Sequence, residues 1–314
     1  AFDSDSIRIT FNGDTTQSIA GVNNFYNINI NSCKSCFVEF SDINDVIFVT
    51  NEVSINTGAL NLPYSSNLES LTINEEGILQ SGEIIRITGS WSNNGEFLHN
   101  NGIVIFEGAN QSINGNTGFY ELSKETLVAD TLTFENETLQ TIESKIVFVG
   151  GNENNRLFLK SNSDDLSPIQ FQLALAQDSI QTLEYLRIKD ANASTGDPLV
   201  CQYSQDAGGN LGWIFVNSIP VINVPDEVLS YTEHDTLNLF GENEIFTISD
   251  LDDDILLSAI VRISNNYYST KDTLLFVEFN GITIDPSWGE NGFSDLTGTL
   301  KLIGEDSLAV WAFA

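Results

Sequence analysis

Methionine is absent from the 314 residues, histidine occurs twice, and positive charge is scarce. Twelve Lys and Arg stand against 44 Asp and Glu, a formal net charge of −32. A surface of that sign repels phosphate backbones, so nucleic acid has no electrostatic footprint here. Anionic lipid is disfavoured for the same reason. The charge attracts divalent cations and keeps a long secreted chain soluble, which points outside the cell or to a salty medium. For most individual carboxylates, solvation of the surface is a sufficient account. No segment offers the ~18 consecutive apolar residues of a membrane span, so direct membrane insertion is not expected. No charged-then-apolar leader opens the chain. The lack of Met and the start at Ala1 predict a piece of a longer product whose targeting signals lie elsewhere.

Three cysteines leave little room for metal or redox chemistry. Cys33 and Cys36 form C-x-x-C, but the two histidines, His99 and His234, are far from both in sequence, so a zinc site lacks its remaining ligands. Phe37-Val38-Glu39-Phe40 after the motif reads as strand, whereas a thioredoxin-like motif wants a helix there. A local disulfide or two packed thiols remain as readings, and Cys201 reads as a buried or unpaired thiol. With two histidines, no Ser-His-Asp or Cys-His arrangement is credible. G-x-G-x-x-G and P-loop patterns are absent.

Helix signals are nearly absent too; residues 169–181 come nearest to an i, i+3, i+4 pattern. What fills the chain is alternation: Ile7, Ile9 and Phe11, then Ile28 and Ile30, Ile85 and Ile87, Ile103 and Ile105, Val147 and Val149. Between these lie Asn94-Gly95, Asn101-Gly102 and Asn114-Gly115, pairs that tolerate the positive φ of tight corners. An apolar content of 41% is ordinary for a folded chain. Gln17-Ser18-Ile19-Ala20-Gly21 and Phe25-Tyr26 recur as Gln111-Ser112-Ile113-Asn114-Gly115 and Phe119-Tyr120, and two copies of one structural unit are the simplest account. Strands every ~8–12 residues with Asn and Gly at the bends fit the coils of a parallel β-helix. The pattern changes near Asn217-Ser218-Ile219-Pro220. The expected architecture is all-β: a β-helical domain over 1–216, then a second domain over 217–314.

The block Gly89-Ser90-Trp91-Ser92-Asn93-Asn94-Gly95-Glu96-Phe97, followed by Val104-Ile105-Phe106-Glu107-Gly108 and Phe119-Tyr120-Glu121-Leu122, resembles the β-helical repeats of giant Bacteroidota surface adhesins. Leu183-Glu184-Tyr185-Leu186-Arg187-Ile188 looks like the terminal coil of that module, although Cys201 stands there without a second Cys. Tyr231-Thr232-Glu233, Phe246-Thr247-Ile248-Ser249-Asp250-Leu251-Asp252 and Leu296-Thr297-Gly298-Thr299-Leu300 are similar to cadherin-like β-sandwich repeats of large bacterial secreted proteins, a pattern that stops short at Ala314. The resemblance implies a cadherin/Ig-like β-sandwich truncated at its C-terminus, and a secreted or cell-surface adhesin. Its partners would be neighbouring modules of the same long chain and surface glycans or other cells.

Ser249-Asp250-Leu251-Asp252-Asp253-Asp254 is the densest carboxylate run. Ca²⁺ takes six to eight oxygens, and Asp250, Asp252 and Asp254 joined by Glu233 and Asp272 would supply a structural site; the alternative is a solvated acidic turn. The EF-hand spacing is missing. Trp288, between Pro286 and Gly289, is the aromatic placed to stack on a glycan, with packing the competing reading, whereas Trp91 and Trp213 read as core plugs. A polysaccharide-active β-helix enzyme would need paired carboxylates, for which Asp164-Asp165, Asp190 and Asp206 are candidates. The scarcity of Arg and Lys argues against that reading, and a non-enzymatic stalk, adhesin or filament subunit is expected instead.

Overall fold

A computed structural model describes residues 8–42, 44–163, 167–216, 221–223, 247–249, 255–263, 265–269, 271–274, 281–288 and 292–307. These residues contain strands and turns but no helix. The stretch 169–181 holds the strands Phe171–Leu175 and the start of Ile180–Glu184 rather than a helix. Phe171, Leu173 and Leu175 share one buried parity there, and a period of two beats a partial helical pattern.

The chain falls into two compact units, 1–216 and 217–314. The first is a parallel β-solenoid of about 9 turns. Each coil crosses three faces. The first face begins with Arg8–Phe11, the second with Gln17–Ile19, and the third with residues 23–25 of the long strand Asn23–Asn31. Ser65, Ile84 and Ile103 lie in register on the third face, so a coil there takes 19 residues. Coil length then varies: Lys145 pairs with Ile180, 35 residues on, with the excess looped out at corners, whereas Leu199 pairs with Trp213, only 14 residues on.

Alternation builds the core directly. On the third face Phe25, Val49, Leu68, Ile87, Phe106, Lys124, Phe148 and Leu183 are successive register partners, all pointing inward and buried. On the first face Ile28, Val53, Leu71, Trp91, Ile113 and Phe134 form a second inward row. Outward on the first face run Thr10, Asn29, Ser54, Thr72, Ser92 and Asn114. At the adjoining corner Asn31, Asn56 and Asn74 form an amide ladder, with Nδ2–Oδ1 distances of 2.7 Å at both steps. Stacked amides satisfy each other's donors and acceptors along the axis, which explains the asparagine-rich bends.

One member of the inward rows is a cation. Lys124 takes the place between Phe106 and Phe148 and is 1% exposed. Its ammonium donates to Gly108 O at 2.6 Å and Gln111 Oε1 at 2.7 Å, and pairs with Asp130 Oδ2 at 2.8 Å. The other oxygen of Asp130 accepts from the Asn110 and Thr131 N–H groups at 2.7 and 2.6 Å. Burial pushes the Asp130 carboxyl up, but the hydrogen bonds from Asn110, Lys124 and Thr131 and the lysine's charge outweigh it and hold the group below the usual range.

The recurring motif does not mark equivalent positions. Gln17–Ile19 lies on the second face, where it pairs with residues 38–40; Gln111–Gly115 lies on the first, between Trp91–Asn93 and Asp130–Phe134. Gln17 accepts from the exposed turn at Gly13, whereas Gln111 is buried and donates to Ile87 O and Gly89 O. The copies are out of phase by one face. Every face asks for the same in–out alternation followed by a glycine bend, so similar segments suit any of the three.

In the second unit, Thr299–Ser307 is the central strand, paired antiparallel with Ile255–Arg262 on one edge and with Thr283–Ile284 and Phe293–Ser294 on the other. Ile282, Phe293, Leu300 and Leu302 form its small core. Val221–Asn223 and Thr247–Ser249 make a separate antiparallel pair. All of the described strands here are antiparallel, in contrast to the solenoid.

Candidate functional site

A surface groove of about 720 Å³ runs along the corner between the second and third faces of the solenoid. The turns that line it are stacked by backbone hydrogen bonds: Leu62 N–H donates to Gln80 O, Ser81 N–H to Leu98 O, and Glu83 N–H to Tyr64 O, all within 2.9–3.1 Å. Successive rungs bring Glu39 and Phe40, then Leu62, Pro63 and Tyr64, then Ser81 and Glu83, then Asn101 and Ile103, and last Glu121 to one lining. At ~4.8 Å per rung the lined length is about 20 Å.

The lining mixes polar and apolar side chains. Tyr64 is 44% exposed, and its hydroxyl donates to Glu83 Oε1 at 2.9 Å. That bond fixes the ring's tilt, and the hydrogen bond to the carboxylate raises the phenol's pKa. Among the described residues, four carboxylates line the groove (Glu39, Asp42, Glu83 and Glu121) and no Lys, Arg or His does. Asn100 and Asn101 adopt φ of 47° and 60°, the left-handed region that asparagine tolerates at a tight turn. Asn100 donates to Ser81 O at 3.1 Å, which ties one rung of the rim to the next. The side-chain oxygen of Asn61 is shielded from solvent and has no hydrogen-bond partner.

The residues singled out in the sequence are scattered. Cys33 and Cys36 form a disulfide at the corner between the first and second faces, and Gly58 fits beneath them, where an added Cβ would stand 3.0 Å from Cys33 O. The closed loop is short, so the chain-entropy model assigns the bridge about 2 kcal/mol. Reduction is expected to lower the melting temperature of the solenoid's transition alone, which calorimetry with and without a phosphine reductant measures. Cys201 is buried with no disulfide partner, and burial pushes its thiol pKa up. Such a thiol is protonated and inert.

Asp190 and Asp206 both stand at the corner around residues 208–210, with the Asp190 carboxylate against Gly209. Asp190 turns the backbone with φ of 54°, and Asp206 Oδ1 accepts from Gly208 N–H and Asn210 Nδ2 within the last coil's corner. Asp164 and Asp165 lie outside the described residues. Trp91 is fully buried and Trp213 packs on the end of the core. Trp288 is 37% exposed; its indole N–H donates to Thr299 Oγ1 at 3.3 Å, and the Lys301 ammonium stands 5.6 Å from its ring centre. Lys301 pairs with Asp285 at 2.8 Å, and that hydrogen bond, with those from Ser287, lowers the Asp285 carboxyl to about 2.

Of the proposed Ca²⁺ ligands, Glu233, Asp250, Asp252 and Asp254 lie outside the described residues. Asp272 is described, and its Oδ2 accepts from the Tyr268 N–H at 2.8 Å to close a turn. Among the described residues no group of three or more His, Cys, Asp or Glu stands close enough to hold a metal ion, and no helix is long and apolar enough to cross a membrane.

No known family, characterised protein or solved structure matches this chain. The groove escapes a linear reading because its members are about one coil apart. Tyr64 and Glu83 are separated by 19 residues, the coil spacing, and that spacing is the signal that could have joined them.

Proposed function

We propose that this chain is a non-enzymatic structural and adhesive segment of a secreted or cell-surface bacterial protein, of the kind the giant Bacteroidota adhesins represent. The observation that carries the reading is the uninterrupted inward stack from Phe25 to Leu183, which joins successive rungs without a hinge. Such a stack transmits load along the axis, as a spacer requires. The net charge of −32 suits a soluble extracellular chain, and the Cys33–Cys36 disulfide suits an oxidising compartment. Residues 217–314 serve in this reading as a cadherin-like module whose acidic run, with Glu233 and Asp272, holds a structural Ca²⁺, and Trp288 offers a glycan contact.

A second reading follows from the carboxylates of the groove. Glu39, Asp42, Glu83 and Glu121 on one lining are the residue type that a glycoside hydrolase uses. Two measurements separate the alternatives. Beads carrying the whole chain should be retained on polysaccharide-coated surfaces and release no new reducing ends; sugar release abolished by Glu83→Gln would overturn the structural reading. Excess Ca²⁺ should raise the second unit's melting transition and a chelator should lower it; an unchanged transition removes the metal from the proposal.

A further inference from the structure

We infer that the groove at the corner of the second and third faces binds an uncharged, extended oligosaccharide chain lying along the solenoid axis. The inference rests on the adhesive reading and names the site through which it works. Charge selects the class of ligand first. Glu39, Asp42, Glu83 and Glu121 line the groove without a single cation among the described residues, so a uronate, sulfate or phosphate chain meets repulsion along the whole length. Carboxylates are instead acceptors for hydroxyl donors, and neither Glu39 nor Glu121 is paired with a cation among the described residues.

Shape and surface select sugar over peptide. Tyr64 presents an exposed ring whose orientation is fixed by its bond to Glu83, beside the apolar surface of Pro63 and Ile103. A fixed ring flanked by acceptors matches a pyranose, which has apolar C–H faces and a polar equator. The rung spacing of ~4.8 Å is close to the length of one hexose in an extended chain, so polar groups recur in step with hydroxyls.

The test is titration calorimetry of the whole chain with four neutral hexasaccharides (cellohexaose, laminarihexaose, mannohexaose and chitohexaose) and with hexagalacturonate as the anionic comparator. At least one neutral hexasaccharide should bind with a sub-millimolar Kd, and hexagalacturonate should bind at least tenfold more weakly. Tyr64→Ala should weaken the neutral ligand by about tenfold or more, whereas Tyr64→Phe, which keeps the ring, should lose only a few-fold. Tyr64 is exposed enough for both variants to keep the parent's melting temperature, which is checked first. Absence of binding by all four neutral chains, equal binding of the anion, or equal affinity in Tyr64→Ala would each overturn the site. If the Tyr64→Ala chain is still retained on polysaccharide-coated surfaces, the adhesive reading stands and the groove is not its contact; if the parent chain is not retained, it is the adhesive reading that fails.

Discussion

Lys124→Met is expected to destabilise the solenoid by about 3–5 kcal/mol, and Asp130→Asn by a similar amount. The loss comes from the partner left behind. In Lys124→Met the Asp130 carboxylate, with 5% side-chain exposure, keeps its two N–H donors but loses the lysine charge that compensates it. In Asp130→Asn the ammonium remains between Phe106 and Phe148 with only neutral acceptors, Gly108 O and Gln111 Oε1. The double variant Lys124→Met/Asp130→Asn should recover much of the loss. The amide oxygen that replaces the carboxylate can still accept from the Asn110 and Thr131 N–H groups, and a methionine continues the apolar row. A coupling of about 2–3 kcal/mol is expected from the double-mutant cycle, within the range for groups in contact. Urea midpoints of the solenoid transition measure it, and additive losses would show that the pair is not a unit. The pH dependence has a defined sign. Because the Asp130 carboxyl is held below its unfolded value, its contribution is complete above that value, ~3.9, and is lost as pH falls through the folded one. Asp130→Asn should therefore remove part of the acid sensitivity of the solenoid.

Trp91→Ala should cost about 3–5 kcal/mol, the range for truncating a large buried aromatic. The indole is fully buried in the row between Leu71 and Ile113, packed on Phe97 at 4.9 Å and Phe119 at 5.4 Å between ring centres. Its Nε1–H donates to Thr117 Oγ1 at 3.1 Å, a bond no apolar replacement restores. Phe97 and Phe119 belong to the second face and Trp91 to the first, so the ring ties two faces across the core. In a solenoid each rung is held chiefly by its neighbours, so a hole here weakens coupling in both directions. Amide exchange should accelerate at Leu71 and Ile113, the register partners, while Leu127→Ala, at a site 86% exposed, should change neither midpoint nor exchange. Protection unchanged at Leu71 and Ile113 in Trp91→Ala would contradict the coupling.

The coils themselves were legible because alternation is a local property. Ile28 and Ile30, and Ile85 and Ile87, announce their buried parity without any knowledge of their partners, whereas Ile103 and Ile105, and Val147 and Val149, take the outward parity because Val104, Phe106, Ile146 and Phe148 fill the core. Lys124 was open to the same logic. It shares the parity of Leu122 in a strand whose alternate residues are buried, which marks it as inward; its charge conceals this from a reading that sorts residues by polarity. Asp130 could not be joined to it from sequence, because the intervening corner decides where the chain re-enters.

Sequence by itself determined the strand-rich character, the bends at Asn-Gly pairs and the acidity, since each depends on side-chain sterics or on charge summed over the chain. Only the tertiary structure decided the phase of the coils. With rungs ranging from the 14 residues separating Leu199 from Trp213 to the 35 separating Lys145 from Ile180, the face on which a segment lands depends on every corner before it. That phase is why the second copy of the Gln-Ser-Ile motif stands one face away from the first, and why Glu39, Tyr64, Glu83 and Glu121 meet along one groove. Alternation tells a side chain whether to point in or out, but register between coils is set by hydrogen bonds to the preceding rung, and those exist only once that rung has folded.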